Sequence, residues 1–234
     1  MINDTETSEL PGNPPLVVHW RRSAQARRIS LRVSGLDGRI TLTLPRRAAS
    51  RHGHEFLNER AGWLRSALAA LPEQCPIAPG AVIPLEGRAL TITHAAVRSA
   101  RAEGDHLLVP AGAAPGARVQ AYLKLRARQR IEERVHHHAG LLGRPAGRIT
   151  LRDPRSRWGS CSSAGDLMFS WRLIMAPPDV LDYVAAHEVA HLAQMNHSPA
   201  FWAEVARLMP GYQAPRQWLR AQGSSLHRFR FTPA

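Results

Sequence analysis

The stretch His187-Glu188-Val189-Ala190-His191, with His197 six residues beyond it, leaves the chain few ways to fold. On an α-helix, positions i and i+4 stack on one face, one turn apart, so His187 and His191 can grip a single metal ion. Glu188 lies about 100° further round the helix. From there a carboxylate reaches a water on that metal without being a ligand itself. His197 directly precedes Ser198-Pro199. Ser is a favoured N-cap and Pro a favoured first helical residue, so a new helix is expected there. His197 then sits on the tight connection between two helices, able to turn back towards the metal. Three neutral imidazoles and one water make an open tetrahedral site that suits Zn2+, one per chain.

A short pattern of this kind also arises by chance on a helix surface. Against that stands the preceding run Val180-Leu181-Asp182-Tyr183-Val184-Ala185-Ala186, which is largely apolar and implies a buried helix. Burying two histidines and a glutamate there without partners is costly, and metal binding removes the cost. Neither Cys75 nor Cys161 is near the histidines in sequence, so a closed structural Cys/His site is not expected.

A length of 234 residues allows one sizeable core or two small domains. Lys and Arg number 31 against 18 Asp and Glu, a net charge of +13, and Lys124 is the only lysine. Such a surface favours anionic partners: nucleic acid, nucleotides or acidic peptides. The arginines are spread widely, however, which also suits a plain solvated surface. The two cysteines form no C-x-x-C and no disulfide framework. The polar N-terminus lacks a signal-peptide pattern, and no apolar run approaches the roughly 18 residues of a membrane span. A soluble, cytoplasmic protein without a membrane partner is the expectation.

Along the chain, residues 1–15 read as disordered, being polar and then rich in Pro and Gly. Residues 16–112 read as a β-rich region with one long helix. Leu16–Trp20 suggests a strand, Ile29–Val33 and Ile40–Leu44 alternate as a hairpin, and Phe56, Leu57, Trp63, Leu64, Leu68 and Leu71 recur at helical spacing over 47–71. Val82–Leu85 and Ala89–Thr93 suggest a second hairpin, and His106–Val109 a further strand. The Pro/Gly/Ala-rich connection 110–116 is the candidate boundary, so that 113–234 forms the metal-binding domain. A basic amphipathic helix is expected over 117–139, ending in His136-His137-His138. Consecutive residues on a helix point in different directions, so that triplet is read as structural or solvent-facing. Ile149–Leu151 and Leu167–Ile174 are expected to pair as a hairpin. Between them lies Asp153-Pro-Arg-Ser-Arg157-Trp158-Gly159-Ser-Cys161-Ser162, rich in side chains that could act in a cleft. Cys161 there is a reactive thiol, an extra ligand or, preferably, a small buried residue.

Taken together, Arg157-Trp-Gly-Ser-Cys-Ser162, Phe169-Ser-Trp-Arg-Leu173, His187-Glu-Val-Ala-His191, Met195-Asn-His-Ser198 and Phe201-Trp202 resemble the YgjP-like metallopeptidase-domain family. The likeness spans nearly the whole chain. The ending is also similar to the SprT-like and WLM proteases. The resemblance implies an α+β fold: a zincin-like core with helices packed on a small, mostly antiparallel sheet, and a β-rich region before it. Metzincins place a third histidine at the same distance but carry a glycine where this chain has Gln194.

The expected activity is that of a zinc-dependent hydrolase, foremost a peptidase acting on peptide or protein. His187, His191 and His197 are its metal ligands and Glu188 its general base. Arg157, Trp158 and Tyr212 are candidates for substrate binding, with Arg157 and Tyr212 also candidate oxyanion stabilisers on residue type alone. Two alternatives remain. One is metal-dependent hydrolysis of a nucleotide phosphoanhydride, and the other a nucleic-acid-associated binding protein using the basic surface.

Overall fold

The computed structural model describes residues 6–231 except Leu36, Pro72, Ala113 and Ala114. Among them no helix is long and apolar enough to cross a membrane. The chain forms two compact units, residues 1–73 and 74–234.

In the first unit, strands β1 (Thr7–Leu10), β2 (Leu16–Ser23), β3 (Ser30–Val33) and β4 (Ile40–Pro45) form a sheet in the order β1-β2-β4-β3. The expected hairpin is present as the antiparallel pair β3 and β4, while β2 and β4 are parallel. Part of the segment expected to be disordered is ordered. β1 pairs antiparallel with β2, burying Leu10 and Leu16, and Ser8 Oγ accepts from Trp20 Nε1 at 2.7 Å. Residues 1–5 of that segment lie outside the described residues.

The single helix expected over 47–71 is two: α1 (Ser50–Glu59) and α2 (Ala61–Ala69). They are divided at Arg60, whose φ of −97° and ψ of 5° leave the helical region. Val18, Trp20, Ile40, Leu42, Leu44, Leu57 and Leu64 make the core of this unit. Trp63, assigned inward by its spacing, is half exposed.

The second unit begins with β5 (Cys75–Pro76) and a four-stranded sheet of β6 (Val82–Leu85), β7 (Arg88–Ala95), β8 (Arg101–Glu103) and β9 (His106–Pro110), in the order β6-β7-β9-β8. β6 and β7 are the second expected hairpin, closed by Glu86 and Gly87 at positive φ. α3 (Pro115–Leu142) follows. It buries Val119, Leu123, Ala127, Ile131, Val135 and Ala139, an unbroken i+4 row that extends over the whole helix. These residues share one core with Ile83, Leu90, Ile92, Leu107 and Val109 of the sheet. That common core is why the division of the chain falls after Glu73 and not at the Pro110–Gly116 connection.

The second sheet consists of β10 (Ile149–Arg152), β11 (Gly159–Cys161) and β12 (Leu167–Ser170) in the order β10-β12-β11. The expected hairpin between the first and last of these is replaced by a parallel pairing, and β12 takes β11 as its antiparallel partner. The sheet is therefore mixed rather than mostly antiparallel. Residues 171–175 do not continue the strand. They form a 3-10 helix capped by Ser170, whose Oγ accepts from the Arg172 amide at 3.4 Å. All five of its residues are buried, which a half-exposed alternating strand would not allow. Arg172 is kept neutralised by a bidentate pair with Asp153, at 2.7 and 3.1 Å, and donates to the carbonyls of Leu226 and Phe229.

Then come α4 (Pro178–Ala190), α5 (Pro199–Leu208), α6 (Gln213–Gln222), a 3-10 turn and β13 (Phe229–Arg230), which pairs with β5. α4 packs against α3, α5, α6 and β11.

α3 and α4 are joined by a polar contact. Arg134 donates to both carboxylate oxygens of Asp182, at 2.6 and 3.0 Å, and His138 Nε2 lies 2.6 Å from Asp182 Oδ1. His138 is the buried member of the triplet, whereas His136 and His137 are exposed. Burial raises the Asp182 carboxyl's proton affinity, but the hydrogen bonds and charges of His138 and Arg134 outweigh it, leaving the pKa lowered. A depressed carboxyl stabilises the fold above its unfolded pKa, and that stabilisation is lost as the pH falls through the folded value. Asp182→Asn is expected to cost about 3 kcal/mol at neutral pH, because it leaves the Arg134 guanidinium without its counter-charge and takes the carboxylate partner from His138. Urea unfolding of both proteins should show that deficit closing in acid. A deficit that is absent, or that does not change with pH, would contradict this role.

Candidate metal centre

α4 begins at Pro177-Pro178, with Asp179 in its first turn, and is buried on almost every side. Its last turn delivers His187, Glu188 and, at the C-cap, His191. The Leu192, Ala193 and Gln194 amides bond back to Val189 and Ala190, closing the turn. Glu86 is the one described non-glycine residue with positive φ, so Gln194 makes this turn without the left-handed backbone that a glycine would serve. The Gln194 carbonyl faces His191 Nδ1 at 3.0 Å. A carbonyl only accepts, so Nδ1 carries the proton and Nε2 is left with its lone pair. Ser198 caps α5 by accepting from the Phe201 amide at 3.4 Å, with Pro199 next, as the sequence predicts.

The connection so made brings His197 back to α4. The ligand atoms of His187, His191 and His197 all lie within 4.8 Å of one another. His187 Nε2 and His197 Nε2 are 3.2 Å apart. Two nitrogens on a tetrahedral zinc with ordinary Zn–N bonds would be about 3.3 Å apart. Phe201, fully buried, underlies all three rings, with centroids 4.9, 4.4 and 4.8 Å away. Burial is the main cause holding the His187 pKa down to about 3, helped by the neighbouring histidines and Arg216. Burial also lowers that of His191. Both rings are therefore neutral at physiological pH, the form that ligates a metal. The donor set and its spacing fit one divalent ion. Cys161 is not part of this group: its half-buried thiol lies 3.3 Å from the Ser162 carbonyl, and burial raises its pKa.

Glu188 is 5% exposed. Burial pushes its carboxyl up to about 8, opposed by the charge of Arg157. The backbone of β11 passes directly over it. A Cβ built on Gly159 would stand 2.5 Å from Glu188 Oε1 and 2.6 Å from its Cγ, so only glycine lets strand and carboxylate approach this closely.

A cavity of about 600 Å3 opens beside the histidines, lined by Trp158, Tyr183, His187, His197, Trp202, Arg216, Leu219 and Arg220. Trp158 is thus part of the cavity wall. Arg157 is exposed and acts on Glu188 through its charge, outside this lining. Tyr212 is also outside it, its ring stacked between Tyr183 and Trp202 at 6.2 and 5.6 Å. The sequence reading missed Tyr183, Arg216, Leu219 and Arg220. The available signal was two arginines at i and i+4 on the last helix, which share a face. Another cavity, of about 400 Å3 beside Leu16 and Ile40 in the first unit, coincides with no cluster of metal-ligating side chains among the described residues.

A family model described as YgjP-like, metallopeptidase domain, matches residues 27–222. No curated protein matches the chain. Among solved structures, the crystal structure of the metallopeptidase zymogen of Pyrococcus abyssi abylysin is similar, with 26% identity and a TM-score of 0.35, covering 40% of this chain and 92% of that one. The family match runs from just before β3 to the end of α6 and includes all three histidines, and on that extent the chain belongs to the YgjP-like metallopeptidase-domain family, whose members are described as metal-dependent peptidases.

Proposed function

We propose that the chain is a zinc-dependent peptidase whose metal ligands are His187, His191 and His197 and whose general base is Glu188. The observation that carries this reading is the convergence of three histidine ligand atoms within 4.8 Å of one another, beside a buried glutamate. Three imidazole ligands favour zinc, although copper, nickel or cobalt can substitute in vitro. When bound, the ion supplies Lewis acidity, lowering the pKa of a water towards neutrality and polarising a carbonyl.

The remaining roles fall to side chains and backbone. Neutral His187 and His191 hold the ion, the latter oriented by the Gln194 carbonyl. Glu188 ionises more readily next to positive charge, as Arg157 already shows. It accepts the proton of the attacking water and passes it to the leaving amine. β11 pairs with β12 on one side only, so its other edge can take an extended peptide by main-chain hydrogen bonding. Gly159 on that strand adjoins Glu188, so a peptide added there would run next to the base. A second reading, hydrolysis of a nucleotide phosphoanhydride, draws on the two arginines of the cavity. Phosphate release from nucleoside triphosphates, set against cleavage of a peptide library, separates the two. The nucleic-acid reading keeps only the net charge in its support.

Elemental analysis of untagged protein should find about one zinc per chain, and His191→Ala should lose it. Absence of metal from both proteins after zinc is supplied would remove the centre. Glu188→Gln should retain the metal and lose at least about a hundredfold in kcat. Gly159→Ala should also retain the metal yet lose about tenfold to a hundredfold, because the added methyl displaces the carboxylate. Full activity in either variant, measured as peptide cleavage at matched zinc content, would refute the role given to Glu188.

A further inference from the structure

The cavity beside the histidines has a chemical character that the proposed hydrolysis does not require. Two of its lining residues, Arg216 and Arg220, carry permanent positive charge, and none carries negative charge. Glu188 lies apart from this lining, under β11. Elsewhere in the same unit, arginines that are partly or wholly buried have carboxylate partners: Arg130 with Glu86, Arg134 with Asp182, Arg172 with Asp153. Arg216 and Arg220 have no side-chain ion pair or hydrogen bond among the described residues.

Arg216 is nonetheless held by a ring contact, while Arg220 is exposed beside it. They are one turn apart on the same face of α6. The Arg216 guanidinium lies 4.1 Å above the Trp202 ring, which is stacked in turn on Tyr212. Stacking occupies a face of the guanidinium plane and leaves the N–H groups at its edge free to donate. Trp158, Leu219 and Tyr183 supply apolar wall around them. In such surroundings a charge-assisted, two-pronged contact to a carboxylate is stronger than at an open surface. His187 and His197 line the same cavity, so a group held there is attached to the substrate close to the bond being cut.

We propose that Arg216 and Arg220 are specificity determinants that bind a carboxylate of the peptide substrate beside the metal centre. The proposal rests on the peptidase reading. The carboxylate is either an Asp or Glu side chain next to the scissile bond or the free C-terminus of the peptide. Arg220 is the more exposed of the two and the better target for substitution, since Arg216 also braces Trp202.

The test is peptide binding by the zinc-loaded Glu188→Gln full chain, followed by fluorescence anisotropy, with Arg220→Glu added in a second protein. Three labelled peptides of one neutral sequence are compared: capped at both ends, capped with one Asp or Glu introduced at successive positions, and with a free C-terminus. One of the two carboxylate-bearing kinds should bind about tenfold tighter than the capped neutral peptide or better. Arg220→Glu should abolish that preference at unchanged zinc content. A preference for internal acid assigns the pocket to a side chain, and one for the free end assigns it to the C-terminus.

Equal affinity for all three peptides, no binding of any, or a preference that survives Arg220→Glu would overturn the proposal. So would arginine-dependent binding of a nucleoside triphosphate tighter than that of every peptide. Cleavage by the zinc-loaded wild-type protein is read separately. Cleavage without acidic preference defeats the pocket and leaves the peptidase standing, and arginine-dependent binding of acidic peptides without cleavage does the reverse.

Discussion

A helix buried on nearly every side cannot rely on water for its polar groups, and α4 carries four of them in ten residues: Asp182, His187, Glu188 and His191. Each has its own solution. Asp182 takes charge and hydrogen bonds from Arg134 and His138 of α3. His191 gives its Nδ1 proton to a carbonyl. His187 stays neutral because burial makes its protonation costly. Glu188 is pushed towards its protonated form by the same burial and eased back by Arg157. The apolar packing that fixes the helix thus also sets the protonation of the groups at its end. Two neutral imidazoles and a carboxyl of raised pKa are groups that a metal-dependent hydrolase can use there.

The arginine content has a structural explanation in large part. Glu86, at the tight β6–β7 turn, is held by Arg126 and Arg130 of α3. Arg172 fastens Asp153 and the carbonyls of Leu226 and Phe229, tying the chain's last turn to the 3-10 helix before α4. Arg144 donates to the Leu192 carbonyl at 2.5 Å, just where the chain leaves α4. Exposed ion pairs contribute little to stability, so the surface pairs Arg101–Glu103 and Arg88–Asp105 carry little of this. The arginines that matter reach across elements, and Arg134 and Arg144 both bear on the helix that holds the histidines.

What could be read from the sequence was what is local. His187 and His191 are separated by one helical turn, and Ser198-Pro199 starts a helix by its own chemistry, so the gathering of the three histidines was legible before any fold was known. Strands with alternating apolar residues were legible for the same reason. β11 was not: Gly159-Ser160-Cys161 has no alternation, and its strand character comes from β12 and from lying over Glu188. The parallel pairing of β10 with β12 is a long-range choice that no local signal records. Residues 171–174 looked like strand because all but Arg172 are apolar, yet total burial is equally served by a 3-10 turn. The division after Glu73 was hidden because the sheet of residues 82–110 and α3 complete one another's core, and a Pro/Gly-rich link between them resembles a boundary. The cleft arginines were hidden among many others, since composition gives number and only the fold shows which lack partners.

The position of the histidines at the end of α4 adds one more physical bias. The last turn of a helix presents unpaired carbonyls and a partial negative charge, which favours a cation nearby. Arg144 donates to the Leu192 carbonyl just beyond that turn. The arrangement is directional: partial negative charge and lone pairs gather at the centre, while Arg157, Arg216 and Arg220 surround it with positive charge. A cation is attracted only at short range, where the imidazole nitrogens are, whereas an anionic group meets favourable charge along the whole approach. Arg216 also lowers the proton affinity of His187, adding to the larger effect of burial. Arg216 thereby bears both on the neutrality of His187 and on the positive charge of the cavity that the proposed acidic substrate would enter.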